Sequence, residues 1–205
     1  MRFFVIDSPL MRFLARIGDL ILLNLIFVIS CIPVITAGAA ISSLYAVAMK
    51  LVRGEEPSVM RDYVKAFKMN FKEATAVWVI LAAAAGLLFV DFRFIGLLEG
   101  GVYLGFKLLL GVILGIWLLV FQYVFPYIGR FQNTVLQSLK NALFLSAAHL
   151  PSTVMLLGIS IGLFIITLFT SRTFVVGTIL WTFFGFALLA YVQSFLLGRI
   201  FSKYE

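Results

Sequence analysis

The chain has 205 residues, 63% of them hydrophobic and only 12% charged, with a net charge of +7. A soluble domain carries about 45–50% apolar and about 25% charged residues, and a chain of this size could not hide the excess apolar surface from water. Composition therefore excludes an ordinary water-soluble fold and predicts a single all-α membrane domain over residues 1–205, a polytopic transmembrane helical bundle.

The basic excess, 16 Lys+Arg against 9 Asp+Glu, would suggest nucleic acid in a soluble protein. Here the basic residues fall in the gaps between apolar runs. Membrane topology and anionic lipid headgroups account for them there, and no nucleic acid is expected. One cysteine, Cys31, excludes an intramolecular disulfide.

The N-terminal stretch carries Asp7, Arg12, Arg16 and Asp19 and is followed by no clear small-residue cleavage site, so it is expected to stay on the mature protein. The first apolar run covers 17–35, with Asp19 and Asn24 inside it. Pro33 and Gly38 then interrupt the pattern. A second, weakly apolar run near 37–52 holds Ser42, Ser43 and Tyr45 and ends at Lys50 and Arg53. Residues 39–52 read either as a short helix of a hairpin turning between Pro33 and Gly38 or as a re-entrant segment. Four further runs satisfy the length of roughly 20 apolar residues that a span needs: 74–90, 108–127, 152–170 and 174–198. Pro151 suits the first turn of the fifth.

Charge decides the span count. Six spans with both termini inside put thirteen Lys/Arg in the cytoplasm and only Arg93, Lys107 and Arg172 outside. Five spans with an outside N-terminus reduce the split to ten against six. The positive-inside bias favours six, with both termini cytoplasmic.

Two segments between spans are amphipathic. Over 57–73, Met60, Val64, Phe67 and Phe71 recur at helical spacing, and Arg61, Lys65, Lys68 and Lys72 follow one residue behind. One residue is about 100° of helix, so a basic stripe flanks an apolar one. Such a helix would lie at the cytoplasmic interface with its lysines toward phosphates, or serve as a docking surface. Over 130–149, Phe131, Val135, Leu139 and Leu143 form a stripe opposite Gln132, Asn133, Gln137, Lys140 and Asn141. Lys140 and Asn141 join the four basic residues of the first segment as candidate contacts to a partner or to headgroups.

Asp7-Ser8-Pro9-Leu10-Met11-Arg12-Phe13 with Asp19-Leu20 and Asn24, Leu51-Val52-Arg53-Gly54-Glu55-Glu56, Ala66-Phe67-Lys68-Met69-Asn70-Phe71-Lys72, Arg130-Phe131-Gln132-Asn133, Leu139-Lys140-Asn141-Ala142 and His149-Leu150-Pro151 occur in that order. In these motifs the chain resembles the YesL-like family of bacterial integral membrane proteins, a family defined as a domain of unknown function, over nearly its whole length. The resemblance implies a multi-pass protein of the bacterial plasma membrane. It also implies a link to carbohydrate importers, near which members are often encoded. It supplies no catalytic residues.

Asp19, Asn24, Gln122 and Gln193 are the candidate intramembrane polar residues. Asp19 lies three residues after Arg16, on one helix face, where an ion pair is the simplest expectation. Gln122 and Gln193 are expected to hydrogen-bond between helices. The lone histidine, His149, has no ligand-spaced Cys, Asp or Glu around it and is expected at the membrane edge. Gly111-x-x-x-Gly115 and Gly158-x-x-x-Gly162 are expected to permit close helix packing. No GxxxxGK[ST], HExxH or CxxC occurs, so no cofactor, metal or catalysis is expected. The leading expectation is a non-catalytic accessory component linked to carbohydrate uptake. The alternative is a small transporter or channel with a polar path past Asp19, Asn24, Gln122 and Gln193.

Overall fold

The structure is a computed structural model that describes residues 9–95 and 100–204. Asp7 and Ser8, which entered the sequence reading, lie outside the described residues. Helices α1 (Pro9–Cys31), α2 (Ala37–Val52), α3 (Val59–Phe94), α4 (Gly100–Arg130), α5 (Val135–Ala148), α6 (Leu150–Leu168), α7 (Ser171–Leu180) and α8 (Phe186–Phe201) follow one another, and no strand occurs among the described residues. A π-helical turn, Trp181–Gly185, joins α7 and α8 into one continuous 31-residue helix, Ser171–Phe201. Among the described residues six helical stretches are long and apolar enough to cross a membrane. The protein is a multi-pass helical bundle.

The chain does turn between Pro33 and Gly38, through a 3-10 turn at Val34–Thr36. The Thr36 hydroxyl donates to the Ser30 and Pro33 carbonyls at 2.7 Å each, which holds α2 against the end of α1. The weakly apolar stretch is then the centre of the molecule. In Val34–Val52, 61% of the residues in the most apolar window are buried, against 6% to 22% in the other five spans. Helix α2 packs against α1, α3, α4 and α8. Its small residues make that closeness feasible, since apolar surface gives no driving force between helices in lipid and packing must supply it. A Cβ on Gly38 would lie 2.3 Å from the Ala74 carbonyl oxygen, and one on Gly129 of α4 would lie 2.5 Å from that of Ser42. Backbones thus touch at both seams. At Gly111, Gly115, Gly158 and Gly162 nothing lies within 4 Å of such a Cβ, so the two GxxxG pairs do not mediate close packing within this chain.

The expected break near residue 73 is absent. Segment 57–73 and span 74–90 form one helix, α3, of 36 residues. At 1.5 Å per residue it is about 54 Å long, so something like 24 Å extends beyond a hydrocarbon core of about 30 Å. The amphipathic half is therefore a stem continuous with a span. The face that the stem turns to the bundle is not the apolar stripe read from the sequence. The inward stripe is Val59, Tyr63, Asn70, Ala74, Val77 and Leu81, whereas Met60, Val64 and Phe71 are exposed and only Phe67 packs against the core. The second amphipathic helix starts later than residue 130. Residues 131–134 are non-helical, and Thr134 opens α5 with a capping box to Gln137, which closes the free N–H groups of the first turn. Its buried residues are Ser138, Ala142, Leu145 and Ser146, and Leu143 is exposed.

Charge separates along the bundle. Lys50, Arg53 and Arg130 close α2 and α4 beside the start of α3, while Arg93, Lys107 and Arg172 belong to the other end. Tyr127 and Phe131 meet Phe201 edge-on, and His149 Nε2 lies 3.2 Å from the Tyr204 hydroxyl, so the end of α8 also sits at the basic end.

Candidate functional site

Three of the four intramembrane polar candidates are held by protein groups. Gln193 is buried at the centre of a network that joins four helices. Its Oε1 accepts from the Tyr45 hydroxyl and from Gln122 Nε2 at 3.1 Å. Its Nε2 donates to the Ser160 hydroxyl at 2.7 Å and to the Leu156 carbonyl at 3.3 Å. Gln122 and Gln193 are thus brought together, with Tyr45 and Ser160, which sequence reasoning did not single out.

Asn24 is fully buried elsewhere, over the π turn. Its Nδ2 donates to the Trp181 and Thr182 carbonyls at 3.0 and 2.7 Å, and its Oδ1 accepts from the Ala187 N–H at 2.9 Å. A π turn disturbs the i→i−4 ladder, and the Asn24 amide supplies the partners for the displaced backbone groups. Asp19 stands apart, half-buried on α1. The expected Asp19–Arg16 ion pair does not close. The two pairs among the described residues are Lys50–Asp62 at 2.9 Å and Arg53–Glu55 at 2.6 Å.

The contact candidates fall into two groups. Arg61, Lys68 and Lys72 are exposed on the α3 stem, interleaved with exposed Met60, Val64, Met69 and Phe71. Asn141 is drawn inward and, with Asn133, donates to the Tyr127 hydroxyl at 2.7 and 2.9 Å. Lys140 is exposed on the rim of a shallow apolar depression walled by Trp117, Val120 and Leu139. Its aliphatic stem can cover such surface while the ammonium reaches water.

Lys65 points to a different feature. Helices α2, α3 and α4 line a cavity of about 450 Å³ that Gly129 borders. Its wall carries Lys50, Arg53, Lys65 and Arg130, with Asp62 as the one carboxylate. Lys50 and Arg130 stand in the last turns of α2 and α4, where exposed carbonyls favour cations. Asn70, 7% exposed, reaches the wall from the inward stripe of α3. Sequence reasoning missed it. The signal was its place on the Tyr63–Asn70–Ala74–Val77 stripe, one position off the Met60–Val64–Phe67–Phe71 series. Among the described residues no three His, Cys, Asp or Glu side chains gather where they could hold a metal.

Residues 20–92, which run from α1 through α2 to near the end of α3, match the model of a family described as a protein of unknown function, DUF624. No curated protein and no solved structure matches the chain. Over those three helices the chain is therefore similar to a family whose function is not defined.

Proposed function

We propose that the protein is a non-catalytic accessory component of the bacterial plasma membrane that docks a carbohydrate importer through the α3 stem, with both termini in the cytoplasm. The observation that carries this reading is the stem itself. It is a helix continuous with a span, projecting beyond the hydrocarbon, with Met60, Val64, Met69 and Phe71 exposed beside Arg61, Lys68 and Lys72. Apolar side chains at the centre of a patch and cations beside them are what a protein contact uses. The resemblance to the YesL-like family supports the carbohydrate link. The charge asymmetry between the two ends supports the orientation.

The transporter alternative needs unsatisfied polar groups along a path. Asn24, Gln122 and Gln193 are instead engaged with protein partners in the packed interior.

The test is site-specific photo-crosslinking from position 60 in cells induced for carbohydrate uptake, with the adducts identified by mass spectrometry. Importer subunits should be captured, and Arg61→Glu with Lys68→Glu and Lys72→Glu should abolish the capture. Adducts to lipid alone would refute the reading.

A further inference from the structure

We propose that the cavity between α2, α3 and α4 is a binding site for a phosphate-bearing anion. Four cations face one carboxylate across about 450 Å³, inside the roughly 300–1,000 Å³ range of small-molecule sites. The cations are not equivalent. Lys50 is neutralised in part by Asp62, and Arg53 by Glu55. Lys65 makes no hydrogen bond or ion pair to any group among the described residues.

Asn70 is the second, independent sign. An amide that no protein group engages is free to bind a ligand where it opens onto a cavity. Asn70 is more than nine-tenths buried, yet among the described residues nothing hydrogen-bonds its side chain, and it opens onto the cavity. By contrast Asn24, Asn133 and Asn141 all find protein partners. The Asn70 Nδ2 can donate two hydrogen bonds to an anionic oxygen while Lys65 supplies charge. Carbonyl ends of α2 and α4 account for Lys50 and Arg130, but they account for neither Lys65 nor Asn70.

The shared chemistry is a phosphate group, carried either by a soluble anion or by a lipid headgroup. The full-length protein, purified in neutral detergent, is titrated calorimetrically with inorganic phosphate at constant ionic strength. Saturable binding is expected. Lys65→Glu, an exposed position that should not perturb folding, is expected to weaken it by about tenfold or more, and so is Asn70→Asp. Lys203→Glu makes the same charge change at the same end outside the cavity and should leave the affinity as it is.

Repeating the titration in nanodiscs separates the sources. Binding that survives in phosphatidylcholine but vanishes when phosphatidic acid is included assigns the site to a headgroup. Binding that survives in both assigns it to a soluble anion. Absence of saturation, or equal weakening by Lys65→Glu and Lys203→Glu, overturns the proposal. The readout uses the protein alone, so it is independent of any importer contact.

Discussion

Helix α2 and the α6–α7 hairpin carry opposite lessons about one solvent. Helix α6 of the hairpin is apolar nearly all round, and most of the hairpin faces outward: Val154, Ile165, Phe169, Val175 and Ile179 are all exposed. Helix α2 holds Ser42, Ser43, Tyr45 and a run of alanines, and it is the most buried of the spans. In water the most hydrophobic helix goes inside. In hydrocarbon that ordering disappears, because lipid solvates leucine as well as a protein core does. The interior position goes instead to the helix whose side chains are small enough for backbones to meet and polar enough to bond across.

The largest expected break in this comparison is Gly38→Leu. The new side chain would begin 2.3 Å from the Ala74 carbonyl and force α2 away from α3. Overpacking of this kind costs about 1–3 kcal/mol or more, so the thermal transition in detergent should fall steeply or the folded monomer should be lost on size exclusion. An unchanged melting curve would remove α2 from the centre.

Next is Gln193→Leu, which strips partners from Tyr45, Gln122 and Ser160 at once. A loss of about 1–3 kcal/mol is expected in a denaturant-detergent titration, whereas Phe195→Leu, two residues on and half exposed, should shift it by no more than about 0.5 kcal/mol. A smaller effect attaches to Lys50→Met, which removes a partly exposed ion pair to Asp62. Its loss should be about 0–1 kcal/mol and should shrink further when salt is raised. The smallest is Gly158→Ala on the outer hairpin. Open space surrounds that position, so stability should stay within about 0.5 kcal/mol of the parent. A large destabilisation there would mean that α6 has a close neighbour after all.

How much of this could be read from residues alone follows from the same contrast. Six helices long and apolar enough to cross were legible, because length and apolarity answer to the thickness of the bilayer. Pro33, Gly38 and Pro151 also marked turns that the structure contains. Which face of a span points inward was not legible, since lipid-facing and core-facing positions are both apolar and periodicity cannot separate them. The stem of α3, beyond the hydrocarbon, was no easier to read. The Met60–Val64–Phe67–Phe71 series has the spacing of a buried stripe, yet Val59, Tyr63 and Asn70 are the residues that go in. Gln122 and Gln193 were recognisable as interhelical bonders, but their shared partner could not be known before the helices were placed. Gly38 and Gly129 matter through backbones distant in sequence, and no local motif announces them. The more conspicuous Gly158-x-x-x-Gly162 faces open space.

The π turn at Trp181–Gly185 has a consequence for how this helix can vary. Such a turn contains one residue more than an α-helix would use. Deleting one would restore a regular helix and swing the Ser171–Leu180 half by about 100° relative to Phe186–Phe201. The Trp181 ring would leave Phe164, against which it stacks at 4.8 Å, and Asn24 would face a backbone with nothing left to accept. Exchange of one apolar letter for another on the outer face leaves that arithmetic untouched. This stretch of the chain is therefore spelled loosely in residue type but counted strictly in length.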